Sequence, residues 1–86
     1  MRKTSYKVVV SEGVRDVLRK ITFEQQKKLY SILVSLGKDP FPARAEKIPT
    51  SVASFRITDG AFRILYEVDG TTIRVEAIRS ILADLL

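Results

Sequence analysis

The sequence contains no cysteine, no histidine, no tryptophan and a single methionine. Without cysteine there is no disulfide and no thiolate chemistry. Without histidine neither a Ser-His-Asp triad nor a His-ligated zinc site can be built. Any proton transfer then falls to Glu, Asp, Lys, Tyr or Arg with a shifted pKa. No apolar run approaches the ~20 residues of a membrane span. Met-Arg-Lys at the N-terminus leads straight into a strand pattern with no apolar signal segment. The expected location is therefore the cytoplasm, with no membrane partner.

What the chain has in excess is positive charge. Fifteen Lys and Arg stand against ten Asp and Glu, for a formal net charge of +5. That balance favours a polyanionic or acidic partner. With 86 residues, 45 % of them hydrophobic, the chain suits one domain over 1–86 with one modest core.

Tyr6-Lys-Val-Val-Val10 is β-branched and reads as a first strand. Ser11 is a helix N-cap, with Glu12 in the first turn and Val14, Val17, Leu18 and Ile21 at helical spacing. Thr22-Phe-Glu-Gln25 has the form of a capping box that restarts the helix. Leu29, Ile32, Leu33 and Leu36 form the buried stripe of the second helix, with Phe23 near its start. Gly37 is the expected C-terminal cap, and Pro40 enforces the stop. Residues 38–51 read as a loop. Strands follow at roughly 52–58, 61–68 and 71–79, and Ile81 to Leu86 is a short apolar tail. The order β-α-α-β-β-β predicts an α+β fold: a two-layer sandwich with a helical hairpin packed on a mainly antiparallel sheet.

The segment from Ala53 to Val68 reads as a β-hairpin with one arginine on each arm. Phe62, Ile64, Tyr66 and Val68 make an apolar row, and Arg63, Leu65 and Glu67 face away. Asp59-Gly60 is a favoured two-residue turn, which places Arg56 directly opposite Arg63. Like charges in that position cost stability, so an anion should offset them. Taking Asp69-Gly70 as a second such turn sets Arg63 against Glu76, Leu65 against Arg74 and Glu67 against Thr72. Two readings stay open: a surface ladder in which Glu67 and Glu76 satisfy the arginines, or a cationic patch for phosphate, which the guanidinium fork fits well. In the same register Arg79 shares the core face with Ile73, Val75 and Ala77, unless a bulge or the strand end turns it outward. Tyr66 is expected in the core with its hydroxyl hydrogen-bonded, Tyr30 on the helix surface and Tyr6 half exposed.

Arg56-Ile-Thr-Asp-Gly-Ala-Phe-Arg-Ile-Leu-Tyr-Glu-Val68, preceded by Asp39-Pro-Phe-Pro42 and Glu46-Lys-Ile48, resembles the signature of the RelE/ParE toxin superfamily. The order of elements and the chain length are similar over nearly the whole sequence. The resemblance implies the toxin of a type II toxin–antitoxin pair, with a cognate antitoxin as partner and an oligomer formed with it. In RelE-like members the target is the ribosome and its messenger RNA. There the RNA's own 2′-hydroxyl attacks the adjacent phosphate, with no metal or cofactor. ParE-like members inhibit DNA gyrase instead.

Carried over by position, Arg63 is the implied phosphate and transition-state contact. Arg56 is the basic residue on the preceding strand, and Arg79 the arginine at the end of the last strand. Glu46 sits near where one branch places a carboxylate general base. Lys47 and Arg74 are the candidate RNA-backbone contacts. The ribonucleases also use a C-terminal tyrosine, and the tail of this chain has none. That departure keeps gyrase inhibition, or a toxin fold serving only as an interaction module, as alternatives.

Overall fold

A computed structural model describes residues 5–80; the expected apolar tail at 81–86 lies outside them. The elements are β1 (Lys7–Val10), α1 (Glu12–Lys20), α2 (Phe23–Lys38), β2 (Glu46–Lys47), β3 (Ser54–Asp59), β4 (Phe62–Asp69) and β5 (Thr72–Ser80). They form the expected α+β arrangement, two helices against one face of a five-stranded sheet ordered β1-β5-β4-β3-β2. β1 lies parallel to β5, and the other pairs are antiparallel. None of the described helices is long and apolar enough to cross a membrane.

Local sequence sets the helix starts. The Ser11 hydroxyl accepts from the Val14 amide at 3.2 Å. Thr22 and Gln25 close a reciprocal capping box, the Gln25 amide donating to the Thr22 hydroxyl and the Thr22 amide to the Gln25 side chain. Each such cap satisfies donors that the first helical turn leaves open, worth about 1 kcal/mol. The stripe Leu29, Ile32, Leu33 and Leu36 is buried against Ile57, Ile64, Tyr66, Ile73, Val75 and Ile78 of the sheet. Phe23 does not join it. It is 72 % exposed, with the Lys27 ammonium 5.5 Å from its ring centroid.

Gly37 is not the cap. The helix runs on to Lys38, and Asp39 ends it with its amide bonded to the Ser35 carbonyl. Gly37 is needed for close approach instead. Its carbonyl accepts from the Tyr6 amide at 2.9 Å. An added Cβ would stand 3.3 Å from the Tyr6 carbonyl oxygen and 3.4 Å from Val8 Cγ2. Glycine thus lets β1 dock on α2. Gly37→Val is expected to destabilise the fold by about 1–3 kcal/mol through overpacking, read as a lower urea midpoint at unchanged slope.

The 38–51 loop contains what its prolines concealed, the two-residue strand β2 paired antiparallel to β3 through Glu46↔Arg56 and Lys47↔Phe55. The loop is pinned to the core by Tyr66, whose hydroxyl donates to the buried Pro40 carbonyl at 2.8 Å. Phe41 packs edge-on to Phe55 at 5.3 Å, and Phe55 stacks on Tyr66 at 5.6 Å.

The largest correction is one of register. Asp59 pairs with Phe62 and Asp69 with Thr72, so the turns are Gly60-Ala61 and Gly70-Thr71, not Asp59-Gly60 and Asp69-Gly70. Gly60 (φ 57°) and Gly70 (φ 60°) alone take positive φ among the described residues. That is the demand of a turn with glycine first, which needs one such residue rather than two. Asp59 stays in the strand, where its carboxylate pairs with Arg44 at 3.2 Å and Lys28 at 3.7 Å.

Candidate nucleic-acid interface

The shift by one residue rebuilds the face of the sheet turned away from the helices. Arg56 stands opposite Leu65, not Arg63. Arg63 lies between Thr58 on β3 and Arg79 on β5. The opposition of like charges therefore exists, but between Arg63 and Arg79.

Arg79 reaches this face through a β-bulge. Tyr66 pairs with Val75 and Leu65 with Ala77, so Glu76 is an extra residue in β5. The bulge absorbs one residue and restores the alternation: Ile73, Val75 and Ile78 are buried and Arg79 is exposed. Ser11 holds the bulge from the side. Its amide donates to the Val75 carbonyl at 3.1 Å and its hydroxyl to the Glu76 carbonyl at 3.0 Å. Glu76 consequently has no place opposite Arg63, and Glu67 is engaged by Arg74 at 3.4 Å. The internal ladder that was to neutralise Arg63 is absent among the described residues.

Arg63 carries a second sign of an unmet partner. Its Nε is shut off from solvent and has no hydrogen-bond partner among the described residues. A buried donor left unpaired costs about 1–3 kcal/mol. No ion pair joins Arg63 or Arg79 to a described carboxylate. Arg56, by contrast, has Glu46 3.4 Å from its Nε across β2. Both of those side chains are substantially exposed, so the pair is worth ~0–1 kcal/mol and is easily exchanged for another anion.

The structure thus gathers Arg63, Arg79, Arg56 and Glu46 on one face. It separates the two remaining candidates from them. Lys47 is paired in register with Phe55 and so points to the opposite face. Arg74 shares the face but is already engaged, 2.8 Å from Asp69 and 3.4 Å from Glu67. The hydrogen bond that Arg74 donates to the Asp69 carboxylate raises the Arg74 pKa above its ordinary value. The half of the sheet around Arg63 is therefore cationic and the half around Arg74 is neutralised. Thr58, which flanks Arg63, was not anticipated from the sequence. The only signal that could have found it was the turn position that sets the register.

No family model and no curated protein matches the sequence. Among solved structures, an archaeal RelE–RelB complex from Pyrococcus horikoshii OT3 superposes with a TM-score of 0.81 at 17 % identity, covering 90 % of this chain and 96 % of that one. The intact RelBE toxin–antitoxin complex of E. coli gives 0.76 at 19 % identity, over 88 % and 96 % of the two chains. The isolated E. coli RelE toxin gives 0.75 at 18 % identity, over 94 % of each. The element order, the parallel pairing of the first and last strands and the helical hairpin laid on one sheet face give this chain the RelE-like toxin fold.

Proposed function

We propose that this chain is the toxin of a type II toxin–antitoxin pair, and that it cleaves messenger RNA on the ribosome through its exposed sheet face. The observation that carries the reading is the Arg63–Arg79 opposition, with the Arg63 Nε buried and unpartnered. Two guanidinium groups held side by side, without a described carboxylate between them, match a phosphodiester in charge and shape. In that role they orient the phosphate and stabilise the charge that develops as the 2′-oxygen adds to phosphorus. In this reading Glu46, which pairs with Arg56 on the same face at 3.4 Å, is the candidate to take the 2′-hydroxyl proton. The P–O5′ bond then breaks, the 5′-oxygen takes a proton from solvent water, and a 2′,3′-cyclic phosphate remains.

An antitoxin is the expected partner. Several of the solved relatives are complexes with one. This chain offers an apolar cleft of about 420 Å³ along β1, lined by Tyr6, Val8, Val10, Tyr30, Leu33 and Val34. β1 is an edge strand of the described sheet, and Arg15 and Arg19 line the adjoining cavity. An extended antitoxin segment with apolar side chains and acidic flanks fits that surface.

One observation favours a second reading. Tyr66 is buried on the helix side of the sheet, and Tyr6 and Tyr30 line the β1 cleft. No described tyrosine therefore stands near the arginines to act as a general acid. A ParE-like inhibitor of DNA gyrase needs no such group. The deciding experiment expresses the chain without an antitoxin and maps messenger ends on translating ribosomes. Codon-phased cuts support the ribonuclease. Intact messages with inhibited supercoiling support the gyrase inhibitor, and normal growth with neither effect defeats both.

A further inference from the structure

The open face is polar or charged along β4 except at one place. Leu65 sits between Arg63 and Glu67, with Arg56 opposite it on β3 and Ala77 opposite it on β5. Leu65 and Ala77 are both half-buried, yet nothing among the described elements packs over them, because both helices lie on the other side. The result is a small apolar platform bordered by cations. Arg63 is two residues along the same strand, a distance of ~7 Å at the strand rise. Arg56 and Arg63 are diagonal cross-strand neighbours, which lie roughly 7–8 Å apart. Successive phosphates of an extended single strand recur at a comparable interval. On its remaining side the platform meets Glu67, which with Asp69 neutralises Arg74 and offers a phosphate no attraction.

We propose that Leu65 and Ala77 form a shelf that seats one nucleobase of a single-stranded RNA, with one neighbouring phosphate held by Arg63 and Arg79 and the next by Arg56. This deepens the ribonuclease reading and rests on it. Aliphatic side chains hold a base face by burying apolar area and offer its edges no hydrogen bond, so the shelf supplies placement rather than sequence preference. It also assigns a second role to Glu46. Until RNA arrives, that carboxylate occupies Arg56, and the second phosphate must displace it.

The test uses the full chain and a single-stranded 2′-fluoro oligonucleotide, which cannot be cut, with binding read by fluorescence anisotropy. Leu65→Ala is expected to weaken binding roughly three- to tenfold, a fraction of what an aromatic platform contributes. Leu65→Thr, which suits an exposed strand position, should do the same while the melting temperature holds. One abasic position scanned along the probe should reproduce the loss, and at that position Leu65→Ala should add nothing further. Glu46→Gln should raise affinity roughly two- to threefold, in line with the small worth of an exposed pair. Equal losses on the intact probe and on every abasic probe would make Leu65 merely structural and overturn the shelf. Unchanged affinity in both Leu65 variants, with Arg63→Ala weakened, overturns the shelf alone. Unchanged affinity in Arg63→Ala removes the phosphate site and the shelf together.

Discussion

Arg63→Ala should abolish messenger cleavage while leaving the protein at least as stable as before. Removal of one preorganised donor aimed at developing charge lowers rates by about 10²–10³-fold, and Arg63 presents several donors at once. Its loss should therefore fall at or beyond the upper end of that range in a ribosome-dependent cleavage assay. The stability expectation has the opposite sign. Arg63 faces Arg79 directly, and its Nε is a buried donor without a described partner. Deleting the side chain removes a like-charge opposition worth roughly 0.2–1 kcal/mol and an unpaired polar atom. Against that stands the lost packing of the arginine stem. The melting temperature should stay level or rise. Arg63→Lys keeps the charge but not the planar fork, so it should recover binding more than cleavage. Arg74→Ala, whose guanidinium is held by Asp69 and Glu67, should cleave as the parent does. A variant Arg63→Ala that melts several degrees lower and loses activity only in proportion would defeat the phosphate reading, because Arg63 would then be a scaffold residue.

Alkaline loss of stability should trace to Tyr66. Burial, with the Asp39 carboxylate adding to it, pushes the Tyr66 hydroxyl up from 10.0 to about 12. The raised value means that the folded protein holds this proton where the unfolded chain has released it. Stability from this group is therefore complete below pH ~10 and drains away as the pH rises from ~10 to ~12. A two-unit displacement sets the scale at about 3 kcal/mol, a large share of the stability of so small a domain. Tyr66→Phe should remove that slope. At neutral pH it leaves the buried Pro40 carbonyl without the hydroxyl that now donates to it at 2.8 Å, at a cost of about 1–3 kcal/mol. Urea titrations of both proteins at pH 8 and pH 11 give the comparison. Parallel alkaline decline in the two would clear Tyr66 of the effect.

Elements with a strong local signature were legible in the sequence. Ser11 and the Thr22–Gln25 box announced the helix starts, and the stripe from Leu29 to Leu36 announced the buried face. Arg63 and Arg56 were recognisable because two arginines flank one tight turn. Features that depend on a single residue of offset were not. An Asp-Gly pair is compatible with a turn centred on it or one residue later. The choice fell to ion pairs from Lys28 and Arg44, which hold Asp59 within its strand. Tertiary contacts of that kind leave no periodic trace. The partner of Arg63 consequently moved from Arg56 to Arg79. Strand parity demands a bulge or a strand end before Arg79 can face outward, and the bulge falls at Glu76, between the buried Val75 and Ile78. β2 was hidden because two residues between prolines show no alternation. Lys47 is near the site in sequence, but strand parity sends it to the other face.

The parallel pairing of β1 with β5 has a consequence for the order in which the sheet is completed. β5 lies between β1 and β4, so the N-terminal strand has no neighbour in the sheet until the ninth residue before Ile81 and those after it have been made. Some 65 residues separate Val10 from its partner Val75, and contacts of that span form late and slowly. Until then the helical hairpin has only part of a sheet to cover, and Arg79 has not met Arg63. A chain cut short before β5 should therefore expose its core and lack the paired-arginine face. The paired-arginine face arrives in one step, with completion of the sheet.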